Sequence, residues 1–408
     1  MKKKICVLTG FAAMALLLFD AISAGAAPLA EIESCEWGDV SVTNGVTRAY
    51  FTLRPTSNSL IRCVIALPPQ EKWNGRFWGL GSGGPGGYLD ERGPLGYALG
   101  GSAACYTDLG TSRRGFHPPE VIRDFGHRAT HLMTLASKRI VREFYGRAPD
   151  RCYFSGGSTG GGQGFHEAIR YPDDYDGIVA KVPAMARLPL HMYFAWTNRQ
   201  LRDAHGKMLF TMEQLEKVRT QGLGALDGAS EELRERMRKI IEGPVIGGRH
   251  VHCGVPPGAD ILPGAGNQWL LEWWLPAGRA LHSVTDDELL EWERAYGPDC
   301  NATTENLDAF RARGGKIIVC GGLEDSVVPI LPMCDWFRRV NARYGMGGTH
   351  GFCRFYLLPG WAHGPGREMA SEPNFDAALV GWVEKDVAPG LLAAKMWDGS
   401  VLMVAPQR

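Results

Sequence analysis

Residues 152–170 read CYFSGGSTGGGQGFHEAIR and contain the pattern G-x-S-x-G, with Ser158 at its centre. A short apolar run, Cys152 to Phe154, precedes the pattern, and a helical pattern follows it. In a nucleophile elbow the serine occupies a strained turn from strand to helix, and flanking glycines remove Cβ clashes. A G-x-S-x-G in a glycine-rich chain is often only a turn, but this context predicts that Ser158 is a catalytic nucleophile.

Short apolar runs alternate with amphipathic helical patterns on both sides of this motif, which favours an α/β fold with a mostly parallel sheet flanked by helices. Apolar residues recur at helical spacing between Asp124 and Tyr145. The predicted strands are Arg62 to Leu67, Arg76 to Leu80, Ala103 to Thr107, Cys152 to Phe154, Gly177 to Val182, Lys316 to Cys320 and Arg354 to Leu358.

A serine hydroxyl needs a base that a carboxylate orients, and α/β-hydrolases supply these groups in the order Ser, Asp or Glu, His. The predicted strand from Lys316 runs into GGLEDSVVP, residues 321–329, so we expect Asp325 to be the acid, with Glu324 as the adjacent competitor. The last predicted strand leads into PGWAHGPG, residues 359–366, and His363 is the predicted base. An uninvolved loop histidine and a solvated loop carboxylate are the alternatives.

Acyl transfer also needs N–H donors for the developing oxyanion. The backbone amide of Thr159 is one expected donor, because it directly follows the nucleophile. The second is expected from the glycine-rich segment GLGSGGPGG, residues 79–87, at Gly83 or Gly84. This segment lacks the G-K-[ST] ending of a phosphate-binding loop and the spacing of a dinucleotide fingerprint.

The regular alternation of strands and helices lapses between residues 187 and 312, which we interpret as an inserted lid. The predicted organisation is a signal peptide over residues 1–27, a catalytic core over 28–186 and 313–408, and the lid over 187–312. Aromatic residues of the lid, including Trp196, Trp269 and Trp273, are candidates for the wall of an apolar substrate pocket. Packing within the lid core is the alternative for each of these rings.

The amino-terminal segment has three lysines, then a short apolar run, then small residues, which is typical of a secretory signal peptide and predicts a secreted or periplasmic protein. Lysine plus arginine and aspartate plus glutamate both number 44, so no overall charge favours nucleic acid or a charged membrane. Nine cysteines follow the predicted signal peptide without zinc-site spacing. In an oxidising compartment some of them are expected to form disulfides.

Four stretches together resemble the tannase and feruloyl esterase family of α/β-hydrolases: DFGHRATH at 124–131, the segment from Phe144 to Ala184 around Ser158, FRARGGKIIVCGGLEDSVVP at 310–329 and LLPGWAHG at 357–364. The resemblance implies hydrolysis of aromatic carboxylic esters such as feruloyl or galloyl esters. It also implies a lid over the pocket and a triad formed by Ser158, Asp325 and His363. The partner is then a small ester substrate. Alternatives are an esterase for aliphatic polyesters, acylglycerols or half-esters of aromatic diacids, and a binding protein that has lost catalysis.

The sequence departs from that family in two places. The family usually carries a disulfide between the residue before the nucleophile and the residue after the histidine, and here these are Gly157 and Gly364. The family's lid commonly carries a calcium loop rich in Asp and Gly, but residues 222–232 keep only Asp227 and Gly228 of that pattern. Calcium prefers six to eight oxygen ligands, so we predict no metal site and no cofactor.

Overall fold

The structure is a computed structural model that describes residues 34–112, 115–262, 269–275, 279, 281–366 and 368–408. The predicted signal peptide, residues 1–27, lies outside this part of the chain. Across the described ranges, no helix combines the length and the apolar composition that crossing a bilayer demands.

The main sheet of the described chain has nine strands in the order β1-β2-β3-β5-β4-β6-β7-β10-β11. The first four in this order pair antiparallel and the remaining pairs are parallel, so the mostly parallel sheet is confirmed. Its strands are β1 Ser34–Thr43, β2 Val46–Arg54, β3 Ile61–Leu67, β4 Arg76–Leu80, β5 Ala103–Thr107, β6 Arg151–Gly157, β7 Gly177–Lys181, β10 Lys316–Gly322 and β11 Cys353–Leu358. Two smaller sheets contain β8 Val245–Ile246 with β9 Arg249–His250, and β12 Met369–Ser371 with β13 Leu392–Met396 and β14 Val401–Val404.

Helices connect these strands. They are α1 Arg92–Leu99, α2 Pro119–Arg123, α3 Ala129–Tyr145, α4 Thr159–Arg170, α5 Arg187–Leu201, α6 Met212–Gln221, α7 Glu231–Glu242, α8 Trp269–Glu272, α9 Asp286–Cys300, α10 Asp308–Ala312, α11 Leu331–His350 and α12 Phe375–Lys385. A π-helical turn, Asp124–Arg128, leads directly into α3, so the predicted helix from Asp124 to Tyr145 is continuous but irregular in its first turn.

The core lies on both faces of the sheet, because alternate residues of a strand point to opposite faces. On β3, Cys63 and Ile65 join the larger apolar cluster and Val64 joins the smaller one. Phe165 of α4 packs in the larger cluster and Trp382 of α12 in the smaller, so helices cover both faces. This layering is the α/β-hydrolase arrangement expected from the sequence.

All seven predicted strands are present: Arg76–Leu80 and Ala103–Thr107 have the predicted bounds, and the other five differ by one to three residues at one or both ends. The β1–β2 hairpin was not predicted. It extends the sheet at an edge, where β1 is mostly exposed and therefore lacks the apolar runs of the inner strands. Between β7 and β10 the chain leaves the main sheet, and this excursion includes α5, α6, α7 and α9. Whether residues 187–312 act as a lid stays a prediction.

The cysteine prediction requires a correction. All nine cysteines of the described chain are free thiols, and five of them, including Cys105 and Cys353, are buried. Burial raises the pKa of the Cys105 thiol to about 12. A buried thiol with a raised pKa stays protonated and packs as a small apolar side chain, which is the role these residues have here.

Candidate active site

Ser158 lies between β6 and α4, in a backbone conformation that L-residues rarely adopt. Strand β6 ends at Gly157 and helix α4 begins at Thr159, so the turn consists of Ser158 alone. Its backbone angles are φ 58° and ψ −118°. Strained turns of this kind cost about 1–3 kcal/mol and persist only where surrounding structure fixes them. The local geometry therefore has the form of a nucleophile elbow.

Three hydrogen bonds hold the Ser158 backbone in place. Its N–H donates to the carbonyl oxygen of Lys181 at 2.9 Å. Its own carbonyl oxygen accepts from the N–H groups of Gly162 at 3.1 Å and Ala184 at 3.0 Å. The end of β7, the loop beyond it and the first turn of α4 thus all fix the strained residue.

Glycine is required around the elbow because three backbones meet there. A Cβ on Gly156 would lie 2.5 Å from the carbonyl oxygen of Gly160, and one on Gly160 would lie 2.8 Å from the carbonyl carbon of Gly81. Real Cβ atoms do not approach backbone so closely, and only glycine avoids the clash. These contacts bring the loop after β4 directly against the elbow.

Asp325 and His363 form a hydrogen-bonded pair at the ends of adjacent strands. Asp325 follows β10 and is fully buried, and Nδ1 of His363 lies 2.8 Å from its Oδ2. The other oxygen, Oδ1, accepts the backbone N–H groups of Val327 at 2.8 Å and Val328 at 2.9 Å. The carboxylate is thereby fixed with one oxygen directed at the imidazole.

Among the described residues, His363 forms its ion pair with Asp325 and not with Glu324, the competing acid. The backbone N–H of Glu324 donates to Trp361 at 3.3 Å. Between the described side chains of Ser158 and His363 no hydrogen bond is formed, although both residues follow parallel strands of one sheet. Such bonds are often long before substrate binds.

The glycine-rich loop after β4 is anchored to the elbow by side chains. Thr159 Oγ1 donates to the carbonyl oxygen of Gly84 at 2.8 Å. The Ser82 N–H donates to Gln163 Oε1 at 3.1 Å, and Ser82 Oγ donates to Thr107 at 2.8 Å. No acceptor among the described residues takes the N–H of Gly83 or Gly84.

Gln163 is a residue that sequence reasoning missed. It is buried on the first turns of α4 and its amide bonds both the N–H and the carbonyl oxygen of Ser82. A polar residue within a glycine-rich helix start was the available signal. Its hydrogen bonds within the described chain hold Ser82 of the loop rather than the Asp325–His363 pair.

The three tryptophans differ in their surroundings. Trp269 contacts Phe125 edge-on at 5.5 Å and Trp273 at 5.1 Å, measured between ring centroids. Trp273 is fully buried, which matches the lid-core alternative better than contact with a substrate. Trp196 borders a separate cleft of about 500 Å³ that Glu235, Lys239 and His250 also line.

Residues 222–232, where the family commonly carries a calcium loop, have a simple structure. It contains a 3₁₀ turn, Leu223–Leu226, and the start of α7, where Glu231 and Glu232 are exposed and pair with arginines of the same helix. Asp227 is exposed as well. Elsewhere in the described chain, His131, Glu167 and Asp174 bring possible ligand atoms within 4.8 Å of one another.

The chain is similar to known esterases in sequence and in fold. The model of the tannase and feruloyl esterase family matches residues 46–239 and 280–403. A probable feruloyl esterase B-1 of Aspergillus terreus is 25% identical over 90% of this chain and 82% of its own length. The mono(2-hydroxyethyl) terephthalate hydrolase of Piscinibacter sakaiensis is 27% identical over 83% of this chain and 75% of its own.

Two solved structures share the fold. Feruloyl esterase B from Aspergillus oryzae superposes with a TM-score of 0.79 at 19% identity, covering 96% of this chain and 95% of that one. Tannin acyl hydrolase from Aspergillus niger superposes with a TM-score of 0.75 at 18% identity, covering 96% and 91%. The predicted fold is confirmed by these matches.

Proposed function

This carboxylic ester hydrolase belongs to the tannase and feruloyl esterase family, and we propose that it cleaves esters of aromatic carboxylic acids through an acyl-enzyme on Ser158. The observation that carries the proposal is the buried Asp325 carboxylate bonded to Nδ1 of His363 beside the strained elbow at Ser158.

In the proposed reaction, Ser158 Oγ attacks the ester carbonyl carbon while Nε2 of His363 accepts the hydroxyl proton. Asp325 orients the ring by accepting from Nδ1 and stabilises the imidazolium that forms. The tetrahedral intermediate collapses, the C–O bond to the alcohol breaks and His363 returns the proton to the departing alcohol. Water then enters by the same route, with His363 as base, and releases the acid.

Negative charge on the tetrahedral oxygen requires preorganised donors. We assign these to the backbone amide of Thr159 and to that of Gly83 or Gly84. Support comes from the bond between Thr159 Oγ1 and the Gly84 carbonyl, which holds the loop beside the elbow. The two glycine amides have no competing acceptor among described residues.

The aromatic acyl group is proposed from the relatives together with the lid. One relative is named a probable feruloyl esterase, and another is named a hydrolase of mono(2-hydroxyethyl) terephthalate. Residues 187–312 would cover the pocket, and Trp269, which is partly exposed as Trp196 also is, could contact an aromatic acid. The second relative favours half-esters of aromatic diacids as a second candidate substrate class.

We also propose that the protein is exported. The lysine-rich start and short apolar run of residues 1–27 support cleavage of a signal peptide and a secreted or periplasmic enzyme. Amino-terminal sequencing of the mature protein tests this, and an intact Met1 in exported protein would contradict it.

A substrate screen tests the proposed reaction. Methyl ferulate, methyl gallate, mono(2-hydroxyethyl) terephthalate and tributyrin are compared by kcat/KM, with Ser158→Ala as the control. We expect an aromatic ester to be the best substrate and the variant to lose turnover by several orders of magnitude. A preference for tributyrin would refute the substrate class. Turnover retained by folded Ser158→Ala would refute the nucleophile.

A further inference from the structure

A buried group of polar side chains lies behind the elbow, outside the site described above. Glu167 is on α4, His131 is on α3, and Asp174 is in the loop of residues 171–176 that joins α4 to β7. Potential ligand atoms of the three side chains lie within 4.8 Å of one another. We call these three residues the acid cluster.

Glu167 has an unusual environment for a carboxylate. Its exposed fraction is 1%, and no described residue supplies a donor to either of its oxygens. A carboxyl oxygen of Glu167 lies within 4.8 Å of one of Asp174. Two buried carboxyl groups this close favour a proton on one of them, because both are acceptors when ionised and repel each other as ions.

With a neutral His131, the charges around the acid cluster balance only if one carboxyl group is neutral. Nδ1 of His131 lies 2.6 Å from Asp174 Oδ2, and the ammonium nitrogen of Lys138 lies 3.9 Å from Asp174 Oδ1. Lys138 therefore compensates a single negative charge, that of Asp174. An ionised Glu167 would be a second buried charge without a partner, which is costly.

The remaining titratable groups that face Glu167 supply no positive charge. These are the Cys105 thiol on β5 and the phenol of Tyr175 after Asp174. Burial raises the pKa of both groups, so both are neutral around pH 7. Burial, and then the charge and hydrogen bond of Asp174, likewise raise the pKa of Glu167 well above its ordinary value.

We propose that Glu167 is a positioning residue for Ser158. Glu167 remains a neutral acid and donates its proton to Asp174, and this bond joins helix α4 to the loop that enters β7. The joined elements are the ones that hold the strained serine. Helix α4 starts directly after Ser158, and Lys181 at the end of β7 accepts its N–H. The inference rests on the proposed role of Ser158.

A divalent cation in the acid cluster is the competing explanation. His, Glu and Asp are suitable ligands, and Glu167 points into the group. The Lys138 ammonium argues against it, because a dication would add positive charge next to an existing, partly buried cation. A shared proton leaves the group neutral overall.

The pH dependence of stability follows from the raised pKa of Glu167. Between its ordinary pKa and its raised native pKa, the native state binds the proton more than the unfolded state does, so the free energy of unfolding falls as pH rises. Glu167→Gln keeps a neutral donor at every pH and lacks this slope. The free energy of unfolding of Glu167→Gln, relative to that of the parent, should therefore increase as pH rises between these two pKa values.

The experiment uses the full-length enzyme with Glu167→Gln, Glu167→Ala and the control Glu143→Gln, a partly exposed carboxylate on α3 that pairs with Arg139. Thermal unfolding and kcat/KM for a nitrophenyl ester are measured from acidic to alkaline pH. We expect Glu167→Gln to keep kcat/KM at neutral pH and to extend activity to higher pH. Glu167→Ala should lose about ten- to a hundredfold, mainly in kcat, as misplacement of a nucleophile predicts. The control should match the parent in both measurements.

Several outcomes would overturn the inference. Loss of activity in Glu167→Gln as large as in Glu167→Ala would mean that an ionised carboxylate is required. A rise in melting temperature of the parent with added Zn²⁺, absent in Glu167→Gln, would establish a cation site. If Glu167→Ala does not fold, the comparison of Glu167→Gln with the parent still tests whether Glu167 acts as a neutral acid. The unfolding data do not depend on Ser158, so a failure of the proposed nucleophile is distinguishable.

Discussion

Nδ1 of His363 lies 2.8 Å from Oδ2 of Asp325, and the same carboxylate accepts two backbone N–H groups through its other oxygen. This arrangement leaves Oδ2 of Asp325 available to the imidazole and fixes the carboxylate in that orientation. An acid held in this way determines which nitrogen of the ring carries the proton. Nε2 is then the nitrogen that can accept a proton from Ser158.

The first prediction compares the two adjacent acids. Asp325→Asn should lower kcat by several orders of magnitude, because an amide can stabilise the wrong tautomer of His363. Glu324→Gln, the matched control one residue away, should remain close to the parent, since the ring bonds to Asp325 instead. Steady-state kinetics on one ester decides this. The reverse ranking would show that Glu324 is the functional acid.

The second prediction concerns the bond between Thr159 Oγ1 and the Gly84 carbonyl, 2.8 Å long. Thr159→Val removes this bond while keeping the side-chain shape and the backbone amide. We expect kcat/KM to fall roughly three- to tenfold, the factor that one net hydrogen bond carries. Thr159→Ser keeps a hydroxyl and should restore most of the rate. Equal kcat/KM values for Thr159→Val and the parent would show that the loop does not need this hydrogen bond.

The elements that the sequence predicted best are those with local signals. The strand before Ser158, the glycines and the loops carrying Asp325 and His363 all have short patterns with a physical cause. The acid cluster and Gln163 could not be predicted in the same way. A helical pattern identifies the buried face of α3 or α4, but not which residues of the two helices and the following loop meet.

The third prediction concerns calcium. Asp227 is exposed and Glu231 and Glu232 pair with arginines, so the 222–232 segment offers few oxygens to an ion. Treatment with a chelator should leave the melting temperature and kcat unchanged, because a native state that holds no ion at this segment has no ion-dependent stability to lose. Calorimetry with and without added calcium measures this. A loss of stability in chelator that calcium reverses would contradict it.

The last prediction concerns Gly157 and Gly364. They occupy the two positions where the tannase and feruloyl esterase family usually carries a disulfide. A Cβ on Gly364 would meet no atom within 4 Å, and one on Gly157 would come no closer than 3.9 Å to Lys181. Neither glycine has a positive φ. Cysteine therefore fits both positions without a clash or backbone strain.

Ser158 and His363 must approach each other for proton transfer, so their neighbours Gly157 and Gly364 should lie near bridging distance, with Cα atoms about 4.4–6.8 Å apart. The double variant Gly157→Cys and Gly364→Cys should form a bond under oxidising conditions and raise the melting temperature, because it closes a loop of about 200 residues in the unfolded chain. Each single variant is the matched control and should gain nothing. Mass spectrometry with and without reductant counts the thiols. If the oxidised double variant keeps both new thiols free, the two loops do not approach as the family relationship implies.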